Sequence, residues 1–115
     1  MAEYDLEERT FQFAKSVGLF IKSLPKTISN IEYNRQLIRS SSSIGANYIE
    51  ANESLGKKDF VMHLRISRKE AKESIFWLRL ISETNEAVFT EKCNELIQEA
   101  TELKRIFSAI IEKSK

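Results

Sequence analysis

The sequence predicts an all-α protein, an antiparallel up-down-up-down four-helix bundle, on three observations. Glycine and proline are scarce, three and one in 115 residues, so the turn chemistry that many short strands need is missing. Four stretches of about twenty residues repeat apolar side chains at the i, i+3, i+4 and i+7 spacing of a helix face. The polar connections between them are short, and helices of that length with short loops pack most simply as antiparallel neighbours. The chain reads as one domain, 1–115, with no internal repeat or low-complexity tract.

The first helix is expected from Asp5, placed as its N-cap, to Leu24, with Leu6, Phe13, Val17, Phe20, Ile21 and Leu24 on one stripe. Pro25 disfavours helical geometry at Leu24 and closes the segment. The second starts near Asn30 and places Ile31, Leu37, Ile38, Ser41, Ile44, Gly45, Tyr48 and Ile49 on its apolar side, running towards Leu55. Within it, Ser40 to Ser43 read as small residues that let helices approach closely. Gly56 is taken as the residue after the helix end, and Asp59 as the cap of the third helix. That helix covers Phe60 to Ser82, with Phe60, Leu64, Ser67, Ala71, Ile75 and Leu78 as its core stripe. Residues 83–89 form a loop, Thr90 caps the fourth helix, and Cys93, Leu96, Ala100, Leu103, Phe107 and Ile110 make its stripe, with Ile111 beside it.

Composition narrows the class. The apolar fraction of 42% and charged fraction of 30% suit a globular domain and not a disordered chain. The N-terminus is acidic where a secretory signal is basic, and the longest apolar runs fall far short of the roughly twenty residues that span a bilayer. No membrane association is expected, and the expected location is cytoplasmic. Cys93 is the single cysteine, so no internal disulfide forms, and with the lone His63 it cannot build a structural metal site. Formal net charge is only +1, yet residues 33–80 carry nine Lys or Arg against five Asp or Glu, a basic middle between acidic ends.

The third helix is apolar on two sides. Met62, Ile66, Phe76, Trp77 and Leu80 cluster on a sector away from Leu64, Ala71 and Leu78, and a bundle gives each helix only one face to bury. A second copy is the simplest partner, since aromatic and Met side chains are enriched in interface cores. Between the two sectors runs a basic ridge of Lys58, Arg65, Lys69, Lys72 and Arg79, with Arg68 at its edge. Such a row can meet phosphate oxygens, each cation displacing a condensed counterion. The plainer reading is a solvated face with local ion pairs, such as Glu73 with Lys69 and Lys72.

No catalytic constellation is present. The chain lacks the Glu-x-x-His pairs of a di-iron bundle and the glycine-rich phosphate loops, and Cys93 falls on the core side of its helix. The expectation is a non-enzyme without cofactor or metal. Glu50, Glu70 and Glu73 lie between apolar neighbours and are expected to be partly buried, with Arg65, Arg68 and Asn47 as available partners.

The passage Ser42-Ser43-Ile44-Gly45-Ala46-Asn47-Tyr48-Ile49-Glu50-Ala51 resembles the Ser-Ile-x-x-Asn-Ile-Ala-Glu-Gly signature of the bacterial 23S rRNA intervening-sequence proteins. Lys58-Asp59-Phe60, then Leu64-Arg65-Ile66-Ser67-Arg68 and Glu73, is similar to that family's third-helix pattern, and Leu24-Pro25 closing the first helix is also typical. Asn47, Glu50 and Glu73 are the polar positions that match. Tyr48, Ala51-Asn52, Ser67 and Glu70 depart from the common spelling. The resemblance implies a homopentamer of four-helix bundles. It also points to a related branch, the accessory variability protein of diversity-generating retroelements, whose strongly basic pentamer binds a reverse transcriptase and nucleic acid. The expected function is a homo-oligomeric, RNA- or DNA-associated binding module. A scaffold for a protein partner, without nucleic-acid contact, is the alternative.

Overall fold

The computed structural model describes the backbone from residue 4 and side chains from residue 5 to Lys115, so the first residues of the acidic start lie outside the described residues. Four α-helices follow one another: α1 Tyr4–Ile21, α2 Ile28–Asn52, α3 Lys57–Thr84 and α4 Thr90–Lys113, with a short 3-10 turn at Ala87–Phe89 before the last. There is no strand among the described residues. The protein is an all-α four-helix bundle measuring 45 × 23 × 20 Å.

Paired side chains give the register. Asn52 donates to Glu7 at 3.3 Å, setting the end of α2 beside the start of α1. Asn30 and Asn85 exchange amide hydrogen bonds of 2.7 and 2.9 Å between the start of α2 and the residue after α3, and His63 meets Asn47 at 3.3 Å towards the other end. Arg9 of α1 forks onto Glu99 of α4 at 2.7 and 2.9 Å and reaches Glu102 at 2.8 Å. Neighbouring helices α1 and α2, and α2 and α3, therefore run in opposite senses.

The core is the apolar stripe of each helix, from Leu6, Phe13, Val17 and Phe20 to Leu103, Phe107 and Ile111, all buried. Area removed from water drives this assembly at roughly 25 cal/mol per Å². The serines act as expected at the α2–α3 contact: Ser40 and Ser74 share a 2.8 Å hydrogen bond, and Ser67 donates to the Ile44 carbonyl at 2.8 Å. A short hydroxyl lets two backbones approach and satisfies its own polarity in doing so. Ser42 lies on the outside.

Several boundaries move. Asp5 lies within α1. That helix ends at Ile21, and Leu24 stays buried in the turn beyond it. Helix α2 starts at Ile28, two residues before Asn30, and is capped by Thr27, whose hydroxyl accepts from the Asn30 amide at 3.1 Å. Helix α2 stops at Asn52, leaving Leu55 fully exposed, and Gly56 serves as the N-cap of α3, with Asp59 already in the first turn. Phe89 occupies the position before α4 and Thr90 is its first residue, while α3 runs two residues past Ser82. Within α2, Ile31, Ile38 and Ile49 are exposed, because Leu37, Ile44 and Tyr48 face inward and the three isoleucines form a separate stripe. Phe60 and Ile75 are half-buried, and Ile111 replaces Ile110 as the buried residue at the end of α4.

Candidate functional site

The outer face of α3 gathers the basic ridge and part of the second apolar sector onto one surface. Lys58, Arg65, Lys69, Lys72 and Arg79 are exposed. At 100° per residue Met62 and Phe76 fall among them, not on a separate sector. Met62 is 45% and Phe76 55% exposed. Ile66 and Leu80 are half-buried at the margin. Lys58, Arg65 and Lys69, with Val61, Met62 and Ile66, line a shallow open groove of about 480 Å³ along the first half of the helix.

Trp77 is not an outward residue. It packs on Tyr33 of α2 with ring centroids 6.3 Å apart, meets Phe76 edge-on at 5.1 Å, and donates its indole N–H to Glu73 at 3.2 Å. It closes the α2–α3 seam and supports Phe76 from behind.

The acidic residues of the seam find a partner the sequence did not point to. Arg39 of α2 pairs with buried Glu70 at 3.2 Å and also with Glu73. Arg65 and Arg68 do not take this role; Arg68 is half-buried and donates to Ser108 at 3.4 Å. Glu50 is exposed, and Asn47 bonds to Ser43 and His63 instead of a carboxylate. Because Glu73 is taken by Arg39, the expected Glu73–Lys69 and Glu73–Lys72 pairs are absent. Lys58, Arg65, Lys69 and Lys72 have no carboxylate within ion-pair distance among the described residues, and Arg79 has Glu83 only at 3.9 Å. Lys57 and Lys58 also sit in the first turn of α3, where the helix dipole disfavours cations and only Asp59 offsets it. A face that leaves four of its cations unpaired and places one of them, Lys58, against its own dipole is suited to an anionic partner.

These residues fall within residues 2–109, which match the model of the 23S rRNA-intervening sequence protein family. The chain belongs to that family. A solved structure from Bacteroides thetaiotaomicron, a protein of unknown function from the S23 ribosomal protein family, is 28% identical. The alignment covers 97% of this chain and 99% of that one, with a TM-score of 0.85. No curated protein matches the chain. In this family member no helix is long and apolar enough to cross a membrane, among the described residues.

The one thiol is not part of the site. Cys93 is fully buried, and burial pushes its pKa up from 9.0 to about 11. Its thiol is therefore expected to stay protonated at pH 9 in the native bundle, with iodoacetamide alkylation slow until denaturant is added. Since the unfolded thiol ionises first, stability falls as pH rises from about 9 towards 11. Alkylation at the same rate with and without denaturant would show that the thiol is accessible.

Proposed function

We propose that this chain is a non-catalytic, self-assembling bundle, a pentamer on family resemblance, that associates with RNA in the cytoplasm through the outer face of α3. The observation that carries the reading is the row Lys58, Arg65, Lys69 and Lys72, exposed and without carboxylate partners among the described residues, interleaved with exposed Met62 and Phe76. Unpaired cations are free to neutralise phosphates, an exposed aromatic in their midst offers a stacking surface for a base, and repetition around an assembly multiplies a weak row. A protein-interaction scaffold is the second reading, favoured by the apolar exposure of the same face, and repeating the titration below with single-stranded DNA of the same sequence distinguishes DNA from RNA.

The test is affinity for single-stranded RNA across a salt series. Three to four phosphate contacts give a slope of log affinity on log salt of roughly −2 to −3. Lys72→Glu with Arg79→Glu is expected to flatten it. No binding at low salt removes the nucleic-acid reading and leaves the scaffold. Self-assembly is tested separately by light scattering on Met62→Asp and Phe76→Asp, both exposed positions whose substitution leaves the core intact; a monomeric wild type at micromolar concentration removes it.

A further inference from the structure

We infer that the nucleic-acid strand crosses the seam between α3 and α4, so that Arg68, Lys104 and Arg105 carry a second part of the phosphate footprint. The inference rests on the nucleic-acid reading above and extends its path to a helix which that reading does not use.

The charge of α4 is divided along its length. The first half holds Glu91, Glu95, Glu99 and Glu102 against Lys92 alone, whereas from Leu103 to the end of the chain stand Lys104, Arg105, Lys113 and Lys115 against Glu112. The carboxylates that could neutralise this second half are drawn elsewhere. Glu102, three residues before Arg105 and so its neighbour on the helix surface, accepts from Arg9 of α1 at 2.8 Å, and Glu112 pairs with Lys115 at 3.3 Å. Lys104 has Ala100, Thr101, Phe107 and Ser108 at its neighbouring helical positions, none of them acidic. Both Lys104 and Arg105 are without an ion-pair partner among the described residues. Arg9 thus does for α4 what Arg39 does for α3.

The seam brings these cations beside those of α3. Arg68 donates to Ser108 at 3.4 Å across it. The two residues lie at a similar remove from the connection between the helices, so α4 runs back along α3. One turn towards that connection, Lys72 comes level with Lys104. At 100° per residue Thr101, Lys104 and Ser108 share the flank turned to α3, and exposed Arg105 stands just outside it. Lys72 and Lys104 therefore flank one strip with Arg68 at its centre. No large apolar side chain of α4 is exposed among the described residues. The strip offers cations and hydroxyls, the groups that contact phosphate oxygens, and lacks the apolar anchors of a protein interface core. Phe76, one turn beyond Lys72, then meets a base as the strand leaves the seam.

The experiment titrates single-stranded RNA over a salt series against the wild type, Lys104→Gln with Arg105→Gln, Arg105→Glu alone, and Lys92→Gln. Lys92 is an exposed cation on the first half of the same helix, paired with Glu95 at 3.4 Å, and serves as the control for net charge. Lys104 is half-buried and Arg105 exposed, so Arg105→Glu tests the strip without touching the interior, and far-UV melting checks each fold. Each phosphate contact on a single strand contributes roughly 0.7 to the slope of log affinity on log salt. The double substitution is expected to remove about 1.4 from that slope and to weaken binding about twenty-five-fold at ~0.1 M salt, the two proteins converging near ~1 M. Arg105→Glu is expected to cost at least about fivefold at the same salt, and Lys92→Gln to leave the slope unchanged. A slope that neither α4 variant alters, while Lys72→Glu with Arg79→Glu flattens it, overturns the inference and leaves the α3 reading standing. An equal loss from Lys92→Gln overturns it too, because the response would then follow net charge and not position. A wild type with no RNA affinity at low salt fails the earlier reading first and this one with it, leaving the strip to an acidic protein surface.

Discussion

Phe107→Ala is expected to destabilise the bundle by about 3–5 kcal/mol, the range for deleting a fully buried aromatic ring. Phe107 has no exposed surface and packs against Tyr48 with ring centroids 6.0 Å apart, bridging α4 to α2 through the centre of the core. The loss combines the transfer energy of the ring with a cavity that its neighbours cannot fill, because interiors are packed as densely as crystals. A domain of this size is held by about 5–15 kcal/mol in total, so the variant keeps only part of its stability and its Tm falls by on the order of 10–20 °C. Urea denaturation checks this through a lower midpoint at unchanged slope. A cost below about 1 kcal/mol would mean that the centre of the bundle is loosely packed or wet.

Gly45→Ala is the second, and here local and tertiary effects oppose each other. In a helix interior alanine is favoured over glycine by roughly 1 kcal/mol. In this bundle a Cβ at position 45 would lie 2.8 Å from Thr10 Oγ1 and 3.1 Å from Thr10 Cβ. Thr10 is buried, and its hydroxyl donates to the Glu7 carbonyl at 3.0 Å, so it cannot turn aside without losing that bond. Either α1 moves off α2 or the hydroxyl is stranded. Overpacking of this kind costs about 1–3 kcal/mol, enough to outweigh the propensity gain, and a net destabilisation is expected. Adding Thr10→Ala removes the closer contact but not the Cβ–Cβ approach, so a double-mutant cycle should show partial recovery. Were Gly45→Ala neutral or stabilising, the α1–α2 approach would be soft.

The sequence showed most of the fold and the charge of the site, and missed what depended on a partner from another helix. Periodicity located every helix because apolar spacing reports one face directly. Caps were less legible: Thr27 and Gly56 precede their helices, yet Asn30 and Asp59 are equally good capping residue types a few positions on. In α2 two apolar stripes lie side by side, and nothing local says whether Ile38 or Leu37 turns inward; only packing against α1 and α3 places Leu37 in the core and leaves Ile38 half in water. On α3 the ridge residues were readable as cations, but their freedom from ion pairs was not. It depends on Arg39, 34 residues before Glu73, taking the carboxylate that would otherwise have faced Lys69 and Lys72. The outward reading of Trp77 failed for the same reason, since Tyr33 lies on a different helix.

The sequence alone, then, determined the four helices, the absence of strand chemistry, the inert position of Cys93 and the basic character of α3, because each rests on spacing or residue type within one segment. The tertiary structure decided which apolar stripe of α2 is core, where the seam carboxylates find their cation, and that the lysines beside Met62 and Phe76 are left unpaired. Those depend on distances between residues far apart in the chain, which local periodicity does not encode and the packing of helix against helix does.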